Sequence, residues 1–308
     1  AHNVKENPLP APPTFGSENI ICLAEYARFF LGKDNTTEQE LKHVYVALSR
    51  IVSTTALEGI RFFGHLIPEI KQGISLCDFS SPAFEVLESL KNIYLDSELD
   101  IECLLEEITL CQADLVRLGR KGGVSKAEMA KLKVKKQLYE LVRYFCSMIL
   151  NNQFDNKLCV AFWFHVWTVL FGQDDVILVD IGELASKATK EDIHATGVLF
   201  GTFSQSGGRK TDCLVRIKDV SCGVTSFIEC GVNEHKPLHV TEAVLNQQAS
   251  KVMRINGSII ARMGSEETIV FLDAHGLTAK IYGMRVFDDI YGCSGPLGKI
   301  CLPTNKSI

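Results

Sequence analysis

The chain has few tryptophans (2) and methionines (5), no CxxC pair among its 11 cysteines, and no surplus of positive charge. Disulfide frameworks and zinc ribbons need close, repeated cysteine spacings, so scattered cysteines in an odd number exclude both. They are expected to be small buried hydrophobes in a reducing compartment. The most apolar run, 158–171, is about fourteen residues long and carries His165, too short for a bilayer and suited to a buried helix. No apolar signal segment opens the chain, so the expectation is a soluble intracellular protein, cytoplasmic or nuclear, without a membrane partner. A net charge of −5 supplies no overall basic field, so any nucleic-acid binding must use a local face.

Glycine and proline are not in excess, and 46% of the 308 residues are hydrophobic, as in a globular protein of one or two domains. Four prolines make residues 1–16 a flexible lead-in. Residues 17–150 read as a helical region. Ser17 is a candidate N-cap, Thr37 with Glu40 and Ser125 with Glu128 are capping boxes, and segments 83–95, 98–119 and 125–150 are amphipathic. The stretch 120–136 is rich in Lys and Arg with a single Glu, either a phosphate-contacting patch or a solvated helix face.

After about residue 172 the pattern changes to β-branched runs between glycine-bearing turns. Strands are expected at 176–179, 196–203, 213–217, 224–228, 268–272 and 280–286. One helix, from an N-cap at Thr241 to a stop at Gly257, interrupts them. The fold expected is therefore an α/β C-terminal domain, 151–308, with a mixed sheet flanked by helices, preceded by an all-α N-terminal region.

Chemistry concentrates in 207–236, GGRKTDCLVRIKDVSCGVTSFIECGVNEHK. A strand from Asp212, a turn near 221–223 and a returning strand to Glu229 would bring two carboxylates to one end of a hairpin. Such a pair repels itself unless a divalent cation sits between, and Mg²⁺ or Mn²⁺ is the natural occupant. Other signals are weaker. His235 and His239 beside Glu234 suggest zinc, but Pro237 breaks a continuous helix. The segment 292–300 lacks phosphate-loop spacing, and 201–208 lacks a nucleophile elbow. Trp163 and Trp167 mark a core face.

The order of an acid on one strand, a glutamate on its hairpin partner and then a helix resembles the PD-(D/E)XK nuclease superfamily, whose core is restriction-endonuclease-like. The features GE-x-x-S (182–186), GRK-x-D (208–212), E-C-G-x-x-E (229–234), GLTAKIYGMRVFDDIY (276–291) and the final Leu-Pro (302–303) are similar to an uncharacterised fungal family with nuclease-like C-terminal regions. The resemblance implies a metal-dependent phosphodiesterase acting on DNA or RNA. Asp212 and Glu229 would hold the metal with help from Glu183 or, less well placed, Glu191. Gln247 or Gln248 would stand on the following helix, and Arg209, Lys210, Arg120 and Lys121 would contact phosphates. The superfamily's E-x-K would put lysine at 231, where this chain has Gly231. Lys251, or Lys236 of a second match Glu234-His235-Lys236, is expected to replace it. The alternative is a catalytically inactive nuclease-like scaffold whose helical half binds a protein partner.

Overall fold

The computed structural model describes residues 18–33, 35–54, 59–74, 89, 101–120, 122–151, 156–172, 175–200, 207–221, 224–264 and 267–301. In chain order the elements are α1 (Glu18–Leu31), α2 (Glu38–Leu48), β1 (Ile51–Ser53), α3 (Gly59–Phe63), α4 (Ile67–Gly73), α5 (Ile101–Arg120), α6 (Lys126–Leu150) and α7 (Asn156–Phe171). They continue with β2 (Ile177–Ala185), α8 (Lys187–Phe200), β3 (Lys210–Ser221), β4 (Val224–Lys236), α9 (Glu242–Met263), β5 (Ile269–His275), β6 (Thr278–Phe287) and β7 (Ile290–Cys301). Two compact units result: 18–74 with 175–301, and 89–172.

The first unit is a mixed seven-stranded sheet in the order β1-β7-β6-β5-β4-β3-β2, with helices packed on it. β1 runs parallel to β7 and β4 parallel to β5, with α9 as the crossover between the latter pair. The remaining neighbours are antiparallel. Val252, Ile255, Ile259 and Ile260 of α9 bury against Val232, Ile269, Phe271 and Met284. A second cluster joins α1, α2, α3 and α4 to Ile290 of β7. Asn256, fully buried, ties α9 to β4. Its Oδ1 accepts the Val232 N–H at 2.9 Å and its Nδ2 donates to the Val232 carbonyl at 3.2 Å. Both backbone groups would otherwise be orphaned in the core.

The division at residue 150 does not follow the packing. Residues 18–74 belong with the sheet because Ile51, Val52 and Ser53 pair with Tyr291, Gly292 and Cys293, so the N-terminal region is not all-α. The 196–203 strand is also absent: α8 runs through Phe200, and 201–203 lie outside the described residues. The helix starts because the Ser186 hydroxyl accepts from the Thr189 N–H at 3.3 Å, an N-cap. Thr241 caps α9 as expected, but Gly257 does not end it. A Cβ there would lie 3.2 Å from Ile51 Cδ1, so the glycine lets β1 approach, and the stop is Gly264 in the left-handed conformation.

In the second unit, Ser125 forms the expected capping box with Glu128 at the start of α6. Trp163 and Trp167 are buried, as a core face requires. No helix among the described residues is long and apolar enough to cross a membrane. Ser17, Cys77, Cys222, Lys121 and most of 83–95 lie outside the described residues.

Candidate functional site

The β3–β4 hairpin decides which acids meet. Ser221 pairs with Val224 at the turn, and counting back from there puts Glu229 opposite Arg216. A bulge at Cys230 then adds one residue to β4, so that Val215 faces Gly231 and Cys213 faces Asn233. The Cys230 thiol donates to the Val215 carbonyl at 3.3 Å across this irregularity. Continued one step, the register brings Glu234 beside Asp212.

There the charges converge. Lys236 Nζ lies 3.1 Å from Asp212 Oδ2 and 3.4 Å from Glu234 Oε2, and Lys251 Nζ lies 2.7 Å from Glu234 Oε1. The His235 N–H donates to Asp212 Oδ2 at 3.0 Å. Period-two alternation explains the arrangement: Glu234 and Lys236 share one face of β4, while the backbone between them turns its N–H toward β3. Burial works against the Asp212 carboxylate, but the His235 amide and Lys236 ammonium outweigh it and hold its pKa below the usual value. Glu234 is fully buried, and that burial, reinforced by Asp212, lifts its pKa despite both lysines. Burial also opposes the Lys236 charge, yet the two carboxylates raise its pKa.

Helix α9 supplies the second wall. Gln248, buried, donates through Nε2 to Asp273 Oδ1, and Asp273 is the β5 register partner of Glu234. The Gln248 Oε1 finds no donor among the described residues. Gln247, Gln248, Lys251 and Arg254 line a cavity of about 820 Å³ together with Glu234 and Lys236. Arg209, Lys210 and Tyr45 of α2 line it too.

The expected pair Asp212 and Glu229 is not brought together. Glu229 instead accepts from the Ser186 hydroxyl at 2.8 Å, the Lys187 N–H at 2.7 Å and the Ala188 N–H at 3.0 Å, at the start of α8. A carboxylate there satisfies orphan helix donors and complements the helix dipole. Replacing Glu229 with Gln is expected to cost about 1–3 kcal/mol in urea unfolding. An unfolding midpoint equal to that of wild type would mean that the start of α8 does not depend on this carboxylate. Glu183, exposed, pairs with Lys210 at 2.8 Å on the rim, where it also senses Asp212 and Lys251. Glu191 pairs with Arg262 at 2.9 Å. Arg120 ends α5, in the second unit.

Of the residues expected from the sequence, Lys236, Lys251, Gln247 and Gln248 line the cavity and Asp212 touches Lys236 at its edge. Glu234 was expected only beside the zinc motif and within the match Glu234-His235-Lys236, and no sequence signal pointed to Asp273. Among the described residues no group of three or more His, Cys, Asp and Glu side chains is arranged to hold a metal ion. Two adjacent carboxylates nonetheless fit Mg²⁺, which binds through one or two carboxylates and fills its remaining positions with water and phosphate. No family model, curated protein or solved structure matches the chain.

Proposed function

We propose that this chain is a metal-dependent phosphodiesterase of the PD-(D/E)XK nuclease type, cutting DNA or RNA. The observation that carries the proposal is the Lys236 ammonium within 3.4 Å of both Asp212 and Glu234, on paired strands beside a glutamine-bearing helix. The E-x-K is then Glu234-His235-Lys236, and Gly231 takes no part in it. Asp212 and Glu234 would hold Mg²⁺ or Mn²⁺, which when bound supplies Lewis-acid polarisation of a phosphate oxygen.

The other roles belong to the chain's own side chains. Lys236, fixed between the carboxylates, stabilises negative charge developing on the phosphate and needs no reorganisation to do so. Lys251 holds Glu234 from the helix side. Gln248 is anchored through its amide nitrogen, so its carbonyl oxygen is available to orient a nucleophile or substrate group. Arg209 and Lys210, at the start of β3, contact phosphates, so affinity should fall steeply with salt.

One observation favours the alternative of an inactive nuclease-like scaffold whose helical half binds a protein partner. Two lysines already neutralise the two carboxylates, and no third ligand is present among the described residues. Calorimetric titration of Mg²⁺ and Mn²⁺ separates the two, followed by incubation with labelled single- and double-stranded DNA and RNA. Binding and cleavage by wild type, both lost in Asp212→Ala, are expected. Metal affinity identical in the two proteins would overturn the proposed metal site. Absence of cleavage on every substrate would favour the scaffold.

A further inference from the structure

The cavity beside the acids holds more positive charge than the acids use. Lys236 and Lys251 are engaged by Asp212 and Glu234, and Lys210 by Glu183. Lys42 of α2 also lines the cavity, as do two arginines, Arg209 and Arg254, and among the described residues no carboxylate forms a salt bridge with either arginine. Asp192 tempers Arg209 only from beyond pairing distance. Burial pulls the Arg254 guanidinium down to about 10, and the neighbouring Arg209 pushes the same way. Two half-buried guanidiniums that repel each other are costly, and among the described residues no carboxylate within pairing distance offsets that cost.

Arg209 is held through its backbone, and Arg254 through its side chain. The Arg209 N–H donates to Thr189 Oγ1 at 2.8 Å, and its carbonyl accepts the Ser186 N–H at 3.1 Å. Ser186 is in turn held by Glu229. The preceding Gly208 has φ +85°, and a Cβ there would collide with the Ser186 carbonyl. Arg254 donates through Nε to the Ser250 carbonyl at 3.2 Å and lies over the Tyr45 ring, 5.3 Å from its centroid. Its backbone is fixed by α9, the helix that also carries Lys251 and Gln248. The Ser250 hydroxyl, buried on the same cavity wall, finds no partner among the described residues.

We infer that Arg209 and Arg254 form a subsite for a terminal phosphate monoester of a nucleic-acid strand, so that cleavage is counted from a phosphorylated end. Two uncompensated positive charges match the dianion of a monoester better than the single charge of an internal diester. Two planar forks also suit its three terminal oxygens. The Ser250 hydroxyl gives a further donor. This inference rests on the phosphodiesterase reading and narrows it from either mode of attack to attack near an end.

The test uses the full chain and internally labelled ten-nucleotide strands with a 5′-phosphate, a 3′-phosphate or hydroxyls at both ends. Binding is followed by fluorescence anisotropy in EDTA, so that it depends on neither metal nor cleavage. One phosphorylated strand is expected to bind at least about tenfold tighter than the hydroxyl-ended strand. Arg209→Gln and Arg254→Gln should each bring that ratio toward one, and Arg254→Lys should restore part of it. Equal binding of all three strands, or equal competition by a circular strand, would overturn the inference in favour of internal-diester contacts. Inorganic phosphate competing as well as the phosphorylated strand would overturn it in favour of a free-phosphate site. A parallel cleavage assay with Mg²⁺ keeps the two readings apart. End preference without cleavage by any preparation sustains the subsite and removes the nuclease. Cleavage abolished by Asp212→Ala but indifferent to the end does the reverse.

Discussion

Under the proposed nuclease reading, Lys236→Met is expected to lower metal-dependent cleavage about a hundred- to a thousandfold, the range seen when one preorganised charge-stabilising group is removed from an active site. Among the described residues Lys236 is the only lysine within reach of both carboxylates, at 3.1 Å and 3.4 Å, whereas Lys251 pairs with Glu234. Lys251→Met should therefore cost less, about tenfold, through looser positioning of Glu234. A second readout guards against simple unfolding. Lys236 lowers the Glu234 pKa against burial and Asp212, so its loss should move the acid limb of the pH–rate profile to higher pH. Single-turnover rates from pH 5 to 9 on variants with wild-type unfolding midpoints would measure both effects. A larger loss in Lys251→Met would transfer the leading role to the helix lysine. A wild-type rate in Lys236→Met would remove the strand motif from catalysis.

Acidification is expected to destabilise the metal-free protein through His235 by about 3 kcal/mol between pH 6.5 and 4. Burial pulls the imidazole from 6.5 down to about 4, and the nearby Asp212 only partly opposes this. Between those values the unfolded chain binds a proton that the folded chain refuses, so stability rises with pH across the window. Glu234 acts in the opposite sense, because its pKa is raised: its contribution is present at low pH and lost as pH climbs through the folded value. Asp212 is lowered, so it contributes only above its own unfolded value and falls away in stronger acid. Comparing urea unfolding of wild type and His235→Gln in EDTA at pH 7 and pH 4.5 isolates the histidine. The variant should lose much less stability between the two conditions. Parallel losses would mean that His235 is not the group that resists protonation.

Much of the sheet and its central helix was legible from local signals. Thr37 and Ser125 announced their capping boxes, and Thr241 the start of α9. The β-branched runs located β3, β4, β5 and β6, because alternation and turn residues are written in adjacent positions. β7 was not, since 292–300 is rich in glycine. Its reason is tertiary: a Cβ at Gly295 would strike the Tyr282 ring of the neighbouring strand. β1 is only three residues long and is defined by its parallel partner rather than by its own pattern.

The site was half legible for a similar reason. Asp212 and the turn were visible, but the partner acid depends on register. Counting from the turn alone puts Asn233 opposite Asp212, and only the bulge makes it Glu234. Glu229, the more conspicuous acid beside a glycine, belongs to the start of α8 through contacts more than forty residues away in sequence. No spacing rule reaches that far.

The irregularity at Cys230 acts on β4 as a frame does on a message. Upstream of it, the strand is decoded by the hairpin turn, and downstream every side chain is offset by one. Were Cys230 taken into the ladder instead of bulging out of it, Asn233 and His235 would occupy the places of Glu234 and Lys236, and the charged pair would exchange faces with its neighbours. The offset is all-or-none, so whether one residue bulges or pairs decides which side chains face Asp212.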